Sequence, residues 1–256
     1  MDLTMRGLAK SFEPLSKIQN AQAKALFDSA LQLDPDSIDA MIGKARCLAY
    51  DVTFRWSVSI LEDKKQATDL IDRALSKRPR SAAAHWVKGN ILLVGHPEEA
   101  LVEYDAALEI NPNFHTAHGS KGVALILSGR AREALSPFQL AIHISPKDIS
   151  AYFLHGNLCR AHLHLREYNE AIEECRRSMN MNNSYLPAYI FLISAYGATG
   201  QMEQARQAIA GLSKIRPNFT LRGHREFSYA FSSNAQYRRE VDDVVDGLRK
   251  AGIPEQ

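Results

Sequence analysis

Three side chains that could bind a transition metal lie close together in the stretch HGNLCRAHLHL, residues 155–165. His155, Cys159 and His162 are spaced at i, i+4 and i+7, so on a helix they project from one side. Imidazole and thiolate are preferred ligands of zinc, but a closed site normally takes four ligands. Because three ligands on one helix still need a fourth from elsewhere, we expect these residues to pack against other side chains. We assign no metal and no other cofactor to the chain.

Known catalytic motifs are missing from the sequence. It contains no phosphate-binding P-loop, no dinucleotide-binding glycine pattern, no His-Glu-x-x-His and no Gly-x-Ser-x-Gly. The segment HGSKG, residues 118–122, has glycines and a lysine, but their spacing is wrong for a phosphate cradle. We therefore predict no catalytic residue and no enzymatic activity for these 256 residues.

The cysteines Cys47, Cys159 and Cys175 are too few and too scattered for a disulfide-rich fold. We expect Cys159 and Cys175 to approach each other as packed thiols, since buried cysteine behaves as a small apolar residue in a reducing compartment. The N-terminus lacks the features of a signal peptide, and no apolar run is long enough to cross a membrane. The sequence thus predicts a cytoplasmic protein with no membrane partner.

A repeated pattern indicates the elements that position these residues. In EEALVEYDAALEINPNF, residues 98–114, Ala100, Tyr104 and Ala107 fall on one stripe of a helix that stops before Pro112. Alanines let a neighbouring helix come close, and the ring fills the wider gap between them. Stronger and weaker copies of the pattern end at Pro35, Pro79, Pro146, Asn183 and Pro217.

The spacing of the copies is nearly constant. From Pro79 to Pro217 the intervals are 33, 34, 37 and 34 residues, whereas Pro35 and Pro79 are 44 residues apart. A fixed period of this size is typical of stacked helical repeats, each a pair of antiparallel helices. The longer interval indicates an insertion of about ten residues within Tyr50–Asp63. We expect this insertion to extend its helix pair, although a contact with a partner or a second copy is the alternative.

The stretch HWVKGNILLVGHPEEALVEYDAALEINPNF, residues 85–114, resembles the tetratricopeptide repeat, with Gly89, Tyr104 and Pro112 among its signature positions. The resemblance implies an all-α, right-handed α-solenoid of about six helix-turn-helix repeats. Their approximate bounds are 4–37, 38–81, 82–114, 115–148, 149–185 and 186–219, which together form an array over residues 1–219.

Residues 220–256 are predicted to form a C-terminal helical cap. Their main helix has an apolar stripe that includes Val241, Val244 and Leu248, with Asn234 as N-cap and Gly252 as the stop signal. The exposed end of a repeat array needs a helix with one polar face of this kind.

In this family the first helix of each repeat lines a concave groove that binds peptides. The resemblance therefore implies a groove lined by Ile42, Arg46, Trp86, Asn90, Leu93, Val123, Ile126, Phe153, Asn157, Arg160, Ile190 and Ser194. Amides such as Asn90 and Asn157 can both donate to and accept from a peptide backbone. Trp86 and Phe153 could instead pack between adjacent first helices. Lysine is missing where co-chaperones of this family grip an acidic C-terminal tail.

We therefore expect a non-catalytic scaffold that binds a peptide or helical segment of another protein or, as an alternative, of the same polypeptide. The segments at 2–7 and 246–255 are similar to those flanking the repeat region of bacterial class III adenylate/guanylate cyclases and related multidomain regulators. An alternative function is thus a regulatory or sensor region that acts on a domain encoded upstream. A net charge of +2 argues against a nucleic-acid partner. A homodimer could form through the inserted segment or a solenoid end.

Overall fold

The computed structural model describes residues 2–10 and 16–256. Within these ranges all regular structure is α-helical, and no β-strand is present. The predicted all-α fold class is therefore confirmed. Residues 11–15, which fall inside the first predicted repeat, and residue 1 lie outside the described residues.

The N-terminal unit, residues 1–112, is one of two compact units. Its helices are α1 Leu3–Lys10, α2 Lys17–Leu33, α3 Ile38–Thr53, α4 Ile60–Lys77, α5 Ala82–Leu92 and α6 Pro97–Ile110. Most helices pack on the next one in the chain, and α3 also contacts α5. These two helices are the first helices of the second and third predicted repeats.

The C-terminal unit comprises residues 113–256. Its helices are α7 His115–Leu127, α8 Ala131–Ile144, α9 Ala151–His164, α10 Tyr168–Met181, α11 Leu186–Thr199, α12 Met202–Ile215, α13 Leu221–Tyr229 and α14 Ala235–Ala251. Successive helices from α7 to α12 pack on each other, and α14 packs mainly on α11. As predicted, Asn234 caps the start of α14 through its side chain, and Gly252 ends the helix in the left-handed conformation at φ 98°.

The second helix of each predicted repeat ends two residues before the punctuating proline or Asn183. Thus α6 ends at Ile110 before Pro112, and α8 ends at Ile144 before Pro146. Proline at these positions cannot continue a helix, because it lacks an N–H group. The helix pairs therefore follow the predicted spacing, while the exact number of repeats stays a prediction.

The core of the third predicted repeat shows why the pattern alternates small and aromatic residues. Tyr104 of α6 is fully buried, and its ring lies directly against Gly89 of α5, where a Cβ atom would overlap it. Phe138 and Gly122 make the same contact between α8 and α7. Glycine at this position of the first helix lets the two helices approach closely.

The inserted segment lengthens one helix pair, as predicted. Helices α3 and α4 have 16 and 18 residues, whereas α5 to α12 have 11 to 14. Between α3 and α4, Phe54 stacks on Trp56 with ring centroids 5.0 Å apart. Val58 and Leu61 are strongly exposed, but a partner contact through them stays a prediction. None of the helices in the described part of the chain is long and apolar enough to span a membrane.

Candidate functional site

The predicted groove residues of the N-terminal unit lie on α3 and α5. Ile42 and Arg46 belong to α3, and Trp86 and Asn90 occupy the equivalent positions of α5, 44 residues later. Ile42 and Trp86 are buried, as is Leu93 at the end of α5. The two helices contact each other, so these residues lie on adjacent helices of one neighbourhood.

Two buried donors in this neighbourhood have no acceptor. The Tyr104 hydroxyl donates to Asn90 Oδ1 at 2.8 Å, which orients the amide. Asn90 is only 8% exposed, yet its Nδ2 makes no hydrogen bond, and the same holds for Nη2 of Arg46, among the residues that the structure describes. A buried donor without an acceptor costs about 1–3 kcal/mol, and more when it is charged. This neighbourhood, which we call the Arg46–Asn90 site, is therefore suited to a ligand that supplies acceptors.

The predicted groove residues of the C-terminal unit differ from those of the N-terminal unit in their hydrogen bonding. Phe153 is 37% exposed, while the others are buried or half-buried: Val123, Ile126, Asn157, Arg160, Ile190 and Ser194. Asn157, unlike Asn90, donates its Nδ2 to the Phe153 carbonyl of its own helix at 2.9 Å. Its amide donor is thus already satisfied within the chain.

Helix α14 covers the face of α9 and α11 that carries Arg160 and Ser194. Arg160 Nη2 donates to the Tyr237 hydroxyl at 2.8 Å, and Ser194 Oγ donates to the Val244 carbonyl at 2.8 Å. At the other end of this contact, Gly197 of α11 lies directly against the Gly247 backbone. We call this surface the α9–α11 face. In the free chain its predicted ligand-binding residues contact the chain's own helix.

A buried histidine–carboxylate pair lies at the centre of this contact. His164 Nδ1 and Glu240 Oε2 are 2.8 Å apart, with side chains 1% and 6% exposed. Burial lowers the pKa of His164, and the hydrogen bond to Glu240 offsets this only in part. Burial by itself would raise the pKa of Glu240, but the hydrogen bonds from His164 and Gln236 and the nearby positive charge together outweigh burial and lower it. Neutral His164 therefore donates its Nδ1–H to ionised Glu240 at neutral pH.

A second histidine of this region, His224 of α13, makes the folded chain sensitive to acid. Burial, together with the nearby charges of Arg160, Arg216 and His164, lowers the pKa of His224 from 6.5 to about 4. In the unfolded chain His224 takes up a proton near its ordinary pKa, so between about pH 6.5 and 4 the unfolded state binds more protons. Stability must then fall as the pH falls through this window.

We expect the free energy of unfolding to decrease by about 1–3 kcal/mol between pH 7 and pH 4 through His224. Urea unfolding followed by circular dichroism at several pH values measures this. His224→Gln should reduce the pH dependence but not abolish it, because the lowered pKa values of His164 and Glu240 also make stability fall with pH. His143→Gln, a change at an exposed position, should leave it unchanged. Equal pH dependence of the wild type and His224→Gln would contradict the assignment.

The sequence prediction for Cys159 and Cys175 is wrong. The two residues form a disulfide between α9 and α10, and Cys47 is the free, buried cysteine. Cys175 takes the position at which other repeats have a large apolar residue, so it faces α9 directly, with its Cα atom 5.2 Å from that of Cys159. This distance lies within the range that a disulfide can bridge.

The histidines beside Cys159 are each paired with a glutamate. His155 Nδ1 lies 2.6 Å from Glu174 Oε2, and His162 Nδ1 lies 2.7 Å from Glu167 Oε2. The candidate metal ligands His155, Cys159 and His162 therefore all have other partners: two glutamates and the disulfide. No group of three or more potential ligands is arranged for a metal ion in the ranges 2–10 and 16–256.

The sequence reasoning missed the residues of α14 that contact α9 and α11. It identified the stripe of Val241, Val244 and Leu248, but the stripe begins one turn earlier with Tyr237 and Glu240, both buried. An acidic residue on an apolar helix face needs a polar partner when it is buried. Glu240 was therefore the available signal that this helix packs against a specific polar surface.

Sequence comparisons agree with the helical pattern. The family model of the tetratricopeptide repeat matches residues 94–149. Tetratricopeptide repeat protein 33 of Xenopus laevis is 27% identical over 150 residues, which make up 57% of this chain and 58% of that protein. The match thus spans less than two thirds of the relative's length.

Solved structures share the fold at low sequence identity. A chain of the APC/C hetero-tetramer Cut9-Hcn1 has a TM-score of 0.69 and 16% identity, covering 83% of this chain and 40% of that chain. TTC0263, a TPR protein of Thermus thermophilus, has a TM-score of 0.56 and 17% identity, covering 69% and 90%. The pilus biogenesis factor PilW has a TM-score of 0.59 and 20% identity, covering 77% and 90%. The chain thus has the all-α fold of tetratricopeptide-repeat proteins.

Proposed function

We propose that this chain is a non-catalytic protein-interaction scaffold that binds an extended segment of a partner protein at the Arg46–Asn90 site. The unpartnered Nδ2 of Asn90 is the observation that carries the proposal. Its amide is oriented by Tyr104, so the donor has a defined direction before a ligand arrives. Preorganised donors lose little conformational entropy on binding.

The chemistry of the site favours a peptide with exposed acceptors. The residue Arg46 is half-buried with its Nη2 buried and unpaired, and the predicted groove residues Ile42, Trp86 and Leu93 on the same two helices are apolar and almost fully buried. Main-chain carbonyls and acidic side chains of an extended segment are the acceptors that such donors bind. The equivalent surface of the C-terminal unit is less suitable, because α14 covers it.

Two variants, one at the Arg46–Asn90 site and one control in the C-terminal unit, test the proposal. Partners are first identified by affinity capture, the binding segment is mapped with synthetic peptides, and its affinity is measured by calorimetry. The double variant Arg46→Ala, Asn90→Ala should bind this segment at least about tenfold more weakly, since each charged or buried hydrogen bond contributes about 1–3 kcal/mol. Asn157→Ala removes an amide whose donor is satisfied within its own helix, so it should bind like the wild type. Weakening by Asn157→Ala alone would place the site in the C-terminal unit instead.

The alternative function, control of a cyclase or regulator domain encoded upstream, stays a prediction. Its tests are the genomic sequence that precedes Met1 and a comparison of the longer protein with and without the Arg46 and Asn90 substitutions. If the substitutions left the activity of the attached domain unchanged, this would count against the alternative.

A further inference from the structure

The α9–α11 face is held to α14 by groups that any suitable helix could offer. Arg160 contacts a phenol, and its guanidinium lies 5.4 Å from the centroid of the Tyr237 ring. His164 contacts a carboxylate, and Ser194 contacts a main-chain carbonyl. These contacts specify a helix by its chemistry and spacing, and none of them requires a covalent connection to α12.

The segment that contains α14 is held together by hydrogen bonds between its own residues. The Leu221 N–H donates to the Pro254 carbonyl at 3.0 Å, and the Tyr237 hydroxyl donates to the Ser228 carbonyl at 3.1 Å. The Tyr229 hydroxyl also donates to Asp242 at 2.7 Å. Helices α13 and α14 are thus joined to each other, and we call residues 221–256 the C-terminal arm.

The arm is not itself part of the helix pairs from α7 to α12, although it contacts Gly129 at the turn before α8 as well as α9 and α11. Helix α13 packs mainly on α14, and α14 makes most of its contacts with α11, fewer with α9 and very few with α12. The pairs α9–α10 and α11–α12 have their own extensive interfaces. Removing the arm therefore exposes one face and leaves the packing between the paired helices in place.

The buried hydrogen bond between neutral His164 and ionised Glu240 favours specificity over permanent attachment. Burying His164 and Glu240 carries a desolvation cost that their mutual attraction repays only when the geometry is good. Both oxygens of Glu240 are used, since Gln236 Nε2 donates to the other one at 2.9 Å. A helix without this carboxylate would leave His164 buried and unpaired, so the face selects helices that carry one.

We propose that the α9–α11 face is a second binding site, for an amphipathic helix of a partner protein, and that α14 occupies this site until the partner displaces it. The partner helix carries a tyrosine, an acidic residue three positions later, an apolar stripe, and a glycine ten positions after the tyrosine. The glycine is needed because Gly247 lies directly against the Ser194 carbonyl. This inference is independent of the Arg46–Asn90 site.

A fluorescent peptide of residues 233–253 serves as the probe for this face. In the full chain, Gly247→Val adds a branched side chain where even a Cβ would overlap Ser194, so it weakens docking of the chain's own α14. We expect the Gly247→Val chain to bind the wild-type peptide at least tenfold more tightly than the wild-type chain does. A peptide with Glu240→Ala should lose at least tenfold in affinity for the same chain. Lys250→Ala, a change at an exposed position of α14, is the matched control and should behave like the wild-type chain.

Two outcomes would overturn the proposal. In the first, the Gly247→Val chain keeps its helical circular dichroism but binds the peptide no better than the wild type. The second outcome is measured on the wild-type chain, so it applies even if the Gly247→Val variant fails to fold. In hydrogen–deuterium exchange of the wild type, we expect the α14 amides to exchange at least tenfold faster than those of α11. Equal protection of α14 and α11 would mean that the arm opens only with the whole unit.

Discussion

Replacing Tyr104 with alanine should lower the free energy of unfolding by about 3–5 kcal/mol. The ring is fully buried between α5 and α6 and fills the space that Gly89 leaves open. Its loss leaves a cavity that the two helices cannot close, because Ala100 and Ala107 on the same stripe are small and already buried. Denaturant unfolding followed by circular dichroism measures the effect.

Tyr104→Phe is the matched control for this cavity. It keeps the ring but removes the hydroxyl that donates to Asn90, so it should cost only about 1–2 kcal/mol. The comparison separates packing from hydrogen bonding at this position. If Tyr104→Phe were as destabilising as Tyr104→Ala, the stability of this helix pair would come from the polar contact and not from the ring.

The second large effect is expected at Gly197. A Cβ atom at this position would overlap the Gly247 carbonyl oxygen, a backbone atom that no side-chain rotation can move away. Gly197→Ala should therefore push α14 from α11 and cost about 3 kcal/mol or more. Thermal unfolding measures the loss, and limited proteolysis should show earlier cleavage within the C-terminal arm.

Gly211→Ala in α12 provides the control for Gly197→Ala. Here the new Cβ meets only the ring of Tyr189, which is half-buried and can turn aside. The better helix propensity of alanine, about 1 kcal/mol, offsets that adjustment, so this variant should stay within about 1 kcal/mol of the wild type. Equal losses from the two variants would contradict a special role for the close contact at Gly197.

The helix pairs could be predicted because their determinants are local. A small residue, an aromatic residue four positions later and a proline at the end specify a second helix and its stopping point within one segment. Tyr104 and Pro112 show this directly, and so does Phe138 with Pro146. Because the segment recurs several times in the chain, its pattern can be distinguished from a chance arrangement of residues.

The position of α14 could not be predicted in the same way. Its amphipathic pattern and its caps at Asn234 and Gly252 define the helix, but they do not say which surface it meets. That choice depends on Arg160 and His164, which have no repeated counterpart in sequence and lie far from α14 along the chain. The unpaired donors of Arg46 and Asn90 could not be predicted from the sequence either, because the hydrogen bonds of a side chain depend on its exact direction.

The distance along the chain between α9 and α14 has a consequence for folding. Arg160 and Tyr237 are separated by 77 residues, and His164 and Glu240 by 76, whereas neighbouring helices join through short loops. Closing a long loop costs more entropy than closing a short one, so local pairs form first. During synthesis the α9–α11 face therefore stays uncovered until residues 235–251 have left the ribosome. Every newly made chain therefore passes through a period in which the residues of this face are open to solvent before the chain's own helix covers them.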